Sequence, residues 1–194
     1  LKIVRALGIE LPGLTRKIPN RDYGPGQHGM KPKRKSGFGV QLQEKQKLRY
    51  NYGVSERQMQ RLFREAKNSR EQTGNKLLEL LERRLDNVVF RAGFAPTTVA
   101  ARQLVSHRHV RLNGRPVTIP SIRVKAGDII TLADKAKAIP MVVETLANMP
   151  LARPEWIGFD EARVSASVTR SPGADEVPFP IEVQHVVEYY AIRL

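Results

Sequence analysis

The chain has 194 residues, of which 41 % are hydrophobic and 27 % charged, so it can form one or two folded domains, and wholesale disorder is not expected. Its formal net charge of +14 favours a polyanionic partner, with nucleic acid ahead of an anionic membrane surface. It has no cysteine, which excludes disulfides, thiolate catalysis and cysteine-based zinc sites. It also has no apolar run long enough to cross a bilayer and no visible secretory signal near Leu1.

The positive charge is concentrated in two parts of the chain. Residues 1–50 hold 12 Lys and Arg against 3 Asp and Glu, and residues 83–132 hold 9 against 2. Residues 51–82 are nearly balanced, with 6 against 5, and residues 133–194 are acidic, with 6 against 9. A protein that was basic only for solubility would not need this segregation, so the two basic blocks indicate anion contact.

Residues 1–41 are rich in proline and glycine and show no sustained periodicity, which excludes a long helix or a central strand. A short basic run lies near the end of this segment, at Lys31, Lys33, Arg34 and Lys35. Two interpretations are open. The segment is either a solvated, flexible arm or an arm that becomes ordered on RNA phosphates.

Helical patterns follow from Leu42 onwards. Ser55 and Gln58 predict a capping box at the start of a helix. The apolar positions of this helix follow the i, i+3, i+4, i+7 pattern and its outer positions are basic, with Met59, Leu62, Phe63 and Ala66 inside and Arg57, Arg61 and Arg64 outside. Thr73 and Gly74 are expected to break the pattern before a leucine-rich stripe begins a further helix.

Residues 83–132 predict a compact unit of two helices, a hairpin and a strand. Gly93 is expected to end the first helix, and Thr97 or Thr98 is expected to cap the second. The helix end at Gly93 and the cap at Thr97 or Thr98 can be predicted from the neighbouring residues alone, because each residue type prefers a particular backbone conformation.

The hairpin of this unit is predicted by Asn113-Gly114 in VRLNGRPV, the pair that a type I′ turn prefers. A turn at residues 125–128 precedes a closing strand. The acidic remainder of the chain is weakly patterned, and residues 181–192 are compatible with either a strand or a terminal helix.

The stretch SHRHVRLNGRPV, residues 106–117, has three interpretations. His107 and His109 could bind a metal from one face of a strand, although two histidines alone do not complete a zinc site. They could also be ordinary surface histidines at a helix end. The best supported interpretation is a cationic junction for RNA phosphates, since arginine offers a planar fork of donors, and its members are Arg102, His107, Arg108, His109, Arg111 and Arg115.

Asp86 lies in RRLDN, and Arg-Leu-Asp is similar to the catalytic motif of pseudouridine synthases. Three residues match easily by chance. Since Asp86 opens a predicted helix, an N-cap or an ion pair with Arg83 or Arg84 is the favoured role.

Several segments in serial order resemble ribosomal protein four of the small subunit, the universal uS4 family in its bacterial and organellar type. The long ones are LQEKQKLRYNYGVSERQ at 42–58, LLELLERRLDNVVFRAGFAPT at 77–97 and ARQLVSHRHVRLNGRPVTIPSIRVKAGD at 101–128. YGPGQHG at 23–29 and VVEYY at 186–190 add shorter similarities. Because the chain lacks cysteine, it is similar to the zinc-free form of the family.

The resemblance implies an α+β fold in which a mainly helical domain accompanies a small helix-helix-hairpin RNA-binding domain with a short antiparallel sheet. The expected divisions are a basic arm at 1–41, a helical domain at 42–82 that 176–194 completes, the small RNA-binding domain at 83–140, and an acidic connecting segment at 141–175.

The resemblance also implies a structural ribosomal protein. It would bind small-subunit ribosomal RNA at a multi-helix junction and nucleate assembly of the subunit. It would also contribute to the messenger-RNA entrance and to decoding accuracy. Its expected protein neighbour is ribosomal protein five of the small subunit, and no membrane is expected as a partner. No catalytic residue, metal or cofactor is expected, and the expected place is the cytoplasmic ribosome of a bacterium or an organellar ribosome. The expected RNA-binding residues are Lys31, Lys33, Arg34, Lys35, Lys45, Lys47, Arg49, Arg83, Arg84, Arg102, His107, Arg108, His109, Arg111, Asn113 and Arg115.

The alternative is an RNA-modifying enzyme or a stress-response protein that carries the same small domain. Such an enzyme would append a catalytic domain of ordinary size, and residues 133–194 are short and poor in motifs for that purpose.

Overall fold

The computed structural model describes residues 1–31 and 34–194 and shows an α+β protein made of two units. Residues Leu1–Leu77 with Phe179–Leu194 form the first unit, and residues Leu78–Pro178 form the second. The α+β class that the sequence predicts is confirmed. None of the described helices is long and apolar enough to cross a membrane.

The first unit is helical, and two of its local signals agree with the sequence prediction. Its helices are α1 (Lys2–Leu7), α2 (Gly37–Asn51), α3 (Glu56–Lys67), the first part of α4 (Thr73–Glu82) and α9 (Val183–Ala191). The capping box of α3 is confirmed, because the Gln58 amide donates to Ser55 Oγ at 3.3 Å and the Ser55 amide donates to Gln58 Oε1 at 2.9 Å. The predicted apolar face is buried and the predicted outer face is exposed, with Met59, Leu62, Phe63 and Ala66 inside and Arg57, Arg61 and Arg64 outside.

The segment at 181–192, which periodicity leaves undecided, forms helix α9. Val186, Tyr189 and Tyr190 are buried at i, i+3 and i+4, so one face of this helix packs against the core. The ring centroid of Tyr190 lies 4.9 Å from that of Phe63 on α3.

Thr73 and Gly74 do not break a helix as expected. Helix α3 already ends at Lys67, and Thr73 and Gly74 form the first turn of α4. A Cβ atom built on Gly74 would lie 3.0 Å from Cγ1 of Val183, so the missing side chain allows α9 to approach closely. The physical reason for this glycine is therefore packing rather than helix termination.

The beginning of the N-terminal segment packs on the first unit. Val4 of α1 is 3 % exposed and Leu11 is 1 % exposed, so both contribute to the core of the first unit. The Arg5 guanidinium donates to the carbonyls of Tyr23 and Gly24 at 2.9 and 3.0 Å. Apolar burial and hydrogen bonding to the backbone thus hold the beginning of the chain on its own unit.

The second unit combines helices with an antiparallel sheet. Its helices are α5 (Leu85–Arg91), α6 (Thr98–Ser106), α7 (Asp134–Lys137) and α8 (Pro140–Ala147), with a 3₁₀ helix at Ala174–Glu176. The strands are β1 (Val110–Leu112), β2 (Arg115–Pro116), β3 (Ile129–Leu132), β4 (Ile157–Asp160) and β5 (Ser165–Val168). They pair in the order β2-β1-β3-β5-β4, and one face of the sheet packs with α5 and α6 in a shared apolar core.

Three local signals of this unit are confirmed. Gly93 follows α5 with a φ of +88°. Thr97 is the cap of α6, since its side chain accepts a hydrogen bond from the Ala100 amide. Asn113 and Gly114 both have positive φ, at 50° and 80°, as a type I′ turn requires.

Residues 141–175 are not a connecting segment, and the unit that begins near residue 83 does not close at 140. Strand β5 pairs with the free edge of β3, and β4 pairs with β5. Ala166 and Val168 are buried while Ser165 and Ser167 face outwards, which is the alternation of a half-buried strand. Small and polar residues make this alternation faint in the sequence, so only the pairing reveals it.

Candidate nucleic-acid interface

The end of α6 and the β1–β2 hairpin together present an exposed basic surface. His107 caps the C-terminus of α6, and Arg108 follows it with a φ of +64°. That conformation is uncommon outside glycine, and here the Arg108 amide donates to the Val105 carbonyl at 3.0 Å. The backbone thus turns sharply and leaves both side chains in solvent.

Strand β1 adds Arg111 to this surface. Its neighbour Val110 is fully buried, so the alternation of the strand directs Arg111 to the opposite, exposed side. Arg115 lies opposite Leu112 across the hairpin and is exposed as well, on the other face of the hairpin from Arg111. We define the hairpin surface as His107, Arg108, Arg111 and Arg115.

Asn113 organises the hairpin from within. Its Nδ2 donates to Asp128 Oδ1 at 2.8 Å, and its Oδ1 accepts from the Ile129 amide at 2.8 Å. Asp128 in turn accepts from the Lys125 amide at 2.7 Å. The side-chain amide of Asn113 is therefore committed to fixing the turn against β3, and Asp128 is a supporting residue that the sequence interpretation missed.

A buried ion cluster lies beneath α5 and α6. Asp86 is 1 % exposed, and its Oδ2 lies 2.8 Å from Nη2 of Arg84 and 2.8 Å from Nη2 of Arg102. The Arg84 side chain is 5 % exposed and the Arg102 side chain 35 %. Arg84 is internal, so we leave it out of the interface, whereas Arg102 reaches solvent at the edge of the cluster.

Two other residues predicted to bind RNA instead make contacts within their own units. Lys45 is 4 % exposed, and its Nζ lies 2.8 Å from Glu56 Oε2 and 4.8 Å from the ring centroid of Tyr189. Arg83 donates to the Val124 carbonyl at 2.9 Å and forms an ion pair with Glu79 at 2.7 Å. The Lys45 ammonium group is therefore paired inside the first unit, and the Arg83 guanidinium group already binds Val124 and Glu79.

The remaining predicted residues of the first unit differ in availability. Lys31, Arg34 and Lys35 are exposed, whereas Lys33 lies outside the described residues. Lys47 pairs with Glu44 at 2.6 Å and is mostly buried. Arg49 is half-buried, with its guanidinium 5.4 Å from the ring centroid of Tyr50.

Comparison with known protein families matches residues 83–130 to the S4 domain and residues 1–82 to the Ribosomal protein S4/S9 N-terminal domain. The chain is 62 % identical over 197 residues to small ribosomal subunit protein uS4B of Nitrosomonas europaea, covering all of this chain and 96 % of that protein. It is 63 % identical, with the same coverage, to small ribosomal subunit protein uS4 of Methylobacillus flagellatus. The relative from Emiliania huxleyi, small ribosomal subunit protein uS4c, is 43 % identical over 195 residues, with 100 % of this chain and 96 % of that protein covered.

The chain belongs to the uS4 family of small-subunit ribosomal proteins. The resemblance inferred from the quoted segments is thus confirmed. Both the family match to the S4 domain and the hairpin surface fall within the second unit.

Within this uS4 chain, His107 lies at the end of α6 and His109 lies just before β1. The ring centroids of His107 and His109 lie 6.2 Å apart. Among residues 1–31 and 34–194, no group of three or more His, Asp or Glu side chains is placed to hold a metal ion.

Proposed function

We propose that this protein is a structural component of the small ribosomal subunit that binds small-subunit ribosomal RNA through the hairpin surface. The observation that carries the proposal is the exposure of four basic side chains on one turn and hairpin, namely His107, Arg108, Arg111 and Arg115. Its family membership and the names of its relatives support the ribosomal role.

The hairpin surface is suited to the RNA backbone rather than to base stacking. Guanidinium groups form bidentate, charge-assisted hydrogen bonds to phosphate. The aromatic side chains of α5 and the following loop, Phe90 and Phe94, are 2 % and 0 % exposed, so they pack in the core. Recognition through backbone and shape is the mode that folded RNA favours.

The finer role follows from the family resemblance. The protein would bind at a multi-helix junction of the ribosomal RNA, nucleate assembly, contribute to decoding accuracy, and contact messenger RNA at the entrance channel and ribosomal protein five. The exposed basic residues of the first unit, Lys31, Arg34 and Lys35, support a second region of RNA contact. The ribosome would be that of a bacterium or an organelle, since the relatives come from bacteria and from Emiliania huxleyi.

An RNA-modifying enzyme is the less supported function. Asp86, the candidate catalytic carboxylate, is 1 % exposed and is paired with two guanidinium groups, so it is not accessible to a substrate. The position that would carry the chemistry instead stabilises the packing of α5 and α6.

The proposal is tested by sedimentation and by direct binding. We expect the native protein to sediment with the small subunit and to stay there through a high-salt wash. In purified form, its affinity for the junction RNA should fall with salt at a log–log slope of about −0.9 for each phosphate neutralised, with about six to ten contacts. A slope shallower than about −2 would contradict a large electrostatic interface.

A further inference from the structure

The turn of the β1–β2 hairpin holds a chemically reactive pair of residues. Asn113 and Gly114 form the only Asn-Gly pair in the sequence, and both residues are exposed, so water and hydroxide reach them. Glycine has no side chain to hinder its own amide nitrogen, and nothing lies within 4 Å of a Cβ built on Gly114. Neither sterics nor burial therefore protects the asparagine side chain from its neighbour's nitrogen.

The reaction open to this pair is deamidation, a known weakness of asparagine. Hydroxide takes the proton of the Gly114 amide, whose nitrogen attacks Cγ of Asn113. The new N–Cγ bond closes a succinimide ring, the Cγ–Nδ2 bond breaks, and Nδ2 leaves as ammonia after taking a proton from water. Water then opens the ring at either carbonyl, which leaves aspartate or isoaspartate at position 113. The attack is intramolecular, and the whole reaction consumes one water and releases one ammonia.

The backbone of the folded turn holds the reacting atoms apart. Asn113 and Gly114 have φ of 50° and 80°, and the first central residue of a type I′ turn has a ψ of about +30°. At this ψ the Gly114 nitrogen points away from the Asn113 side chain, whereas ring closure requires it to eclipse Cβ. The Asn113 amide also donates to the Ile129 carbonyl at 2.8 Å, which ties the turn to β3. Ring closure therefore requires the turn to open first.

Both polar atoms of the Asn113 side chain are held as well. Nδ2, the leaving group, donates to Asp128 Oδ1 at 2.8 Å, and Oδ1 accepts from the Ile129 amide at 2.8 Å. Asp128 is fixed in turn, because its Oδ2 accepts from the Lys125 amide at 2.7 Å. The side chain cannot rotate to present Cγ to the Gly114 nitrogen without breaking both of its hydrogen bonds.

From these contacts we infer that Asn113 is a deamidation site that the folded hairpin keeps closed and that opens when the turn detaches from β3. Aspartate at this position would face the Asp128 carboxylate where an amide now donates. Isoaspartate would add a main-chain carbon to a two-residue turn, which disturbs the pairing of β1 with β2. Either product adds a negative charge beside Arg111 and Arg115 and weakens anion binding there, a consequence that rests on the proposed function.

The site is tested by measuring the rate of deamidation at Asn113 in the folded full-length protein, in mildly alkaline buffer, by peptide mass spectrometry. The reference is a synthetic peptide of residues 106–117 in the same buffer, which has the reactive pair without β3. We expect the folded protein to react at least roughly tenfold more slowly than the peptide, because the turn and two side-chain hydrogen bonds must break first. Equal rates would overturn the protection by the fold, and an unreactive peptide would overturn the site itself.

Variants at Asp128 test the role of its carboxylate in the protection. Asp128→Ala removes the acceptor of Asn113 Nδ2, so the rate in the folded protein should rise several-fold towards that of the peptide. Asp128→Asn keeps an oxygen that accepts this hydrogen bond and should restore most of the protection. The matched control is Asp160→Ala, which removes an exposed carboxylate from β4 of the same sheet and should leave the rate unchanged. The same rate in Asp128→Ala and Asp160→Ala would show that Asp128 does not protect the site.

The consequence for RNA binding is measured separately, with Asn113→Asp as the stand-in for the aspartate product. The probe is purified small-subunit ribosomal RNA of Nitrosomonas europaea, the source of a relative that is 62 % identical. We expect its affinity to fall several-fold, whereas Asn75→Asp, which makes the same charge change at an exposed position of α4, should stay within about twofold of the wild-type protein. Equal affinity of Asn113→Asp and Asn75→Asp would overturn this consequence. Failure of the wild-type protein to bind the RNA would instead remove the proposed function and leave the deamidation rates standing.

Discussion

Arg84 and Arg102 share one carboxylate, that of Asp86, although they lie on different sides of helix α5 in the chain. Both Nη2 atoms lie 2.8 Å from Asp86 Oδ2, and Asp86 Oδ1 accepts from the Asn87 amide at 2.9 Å. The pairing neutralises a carboxylate that is 1 % exposed, and it ties the start of α5 to α6, the helix that leads into the hairpin surface.

Asp86→Ala should therefore destabilise the protein strongly. Removal of the carboxylate leaves the Arg84 guanidinium buried without its counter-charge, which costs about 3–5 kcal/mol in comparable buried pairs. Urea unfolding measures the change in the free energy of unfolding. The control is Asp160→Ala, whose carboxylate pairs with an 84 % exposed arginine and should cost no more than about 1 kcal/mol. Equal effects of the two substitutions would show that the Asp86 cluster contributes no more than a surface pair.

Gly114→Val should weaken RNA binding and lower stability together. Gly114 has a φ of +80°, and nothing lies within 4 Å of a Cβ built there, so the effect comes from backbone strain rather than from a clash. A β-branched residue in this conformation costs about 1 kcal/mol or more and tilts the hairpin that carries Arg111 and Arg115.

Gly37→Ala is the matched control for Gly114→Val, because Gly37 also has open space for a Cβ but lies at the start of α2 without a positive φ. It should leave stability unchanged or raise it by up to about 1 kcal/mol. Thermal unfolding and RNA titration of both variants compare the two sites. Unchanged RNA affinity of Gly114→Val would show that the turn does not position the hairpin surface.

Arg111→Ala should leave stability within about 0.5 kcal/mol and weaken RNA binding by about 1–3 kcal/mol. The side chain is exposed on the solvent side of β1, so its removal leaves no cavity. Binding is measured by titration with junction RNA, and Arg163→Ala serves as the exposed control.

Arg108 offers a sharper version of the same experiment. Because its φ is +64°, Arg108→Gly removes the guanidinium and also relieves backbone strain. Stability should rise slightly while RNA affinity falls, which separates binding from folding. Wild-type affinity in both Arg108→Gly and Arg111→Ala would rule out the hairpin surface as an RNA contact.

The first unit should lose stability in acid through Glu56. Burial alone would raise the pKa of Glu56, but hydrogen bonds from Lys45 and Tyr190 hold it below its ordinary value. A carboxyl whose folded pKa is lowered stabilises the folded state above its unfolded pKa, about 4.3, and that contribution disappears as the pH falls through the folded value.

Glu56→Gln tests this pH dependence. The variant should be less stable than the wild-type protein at pH 7, and the difference should shrink steadily below about pH 4.3. Unfolding curves measured between pH 7 and pH 3 provide the comparison. A constant difference across that range would show that the Glu56 charge does not link α3 to α2 and α9.

Much of the local structure can be predicted from the sequence. The capping box at Ser55, the cap at Thr97 and the type I′ turn at Asn113-Gly114 all depend on the backbone preferences of a few adjacent residues. The apolar face of α3 is likewise visible from its spacing. The quoted family segments also lead to the correct family, because they occur in serial order along the chain.

The tertiary structure decided which basic side chains are available. Lys45 and Arg84 belong to basic segments, yet each is buried against a carboxylate, Glu56 and Asp86 respectively. No local pattern distinguishes a cation that faces solvent from one that is paired inside, because the distinction depends on how separate helices pack.

Long-range pairing was also beyond the reach of periodicity. Strand β5 joins β3 across more than thirty residues, with Ile130 opposite Ala166, and α9 covers α3 from the other end of the chain. The sequence by itself determined the local turns, caps and helix faces, since these are set by neighbouring residues. Only the tertiary structure decided the complete sheet, the helical state of the terminal segment and the separation of exposed from buried arginines, because each depends on contacts between residues distant in the chain.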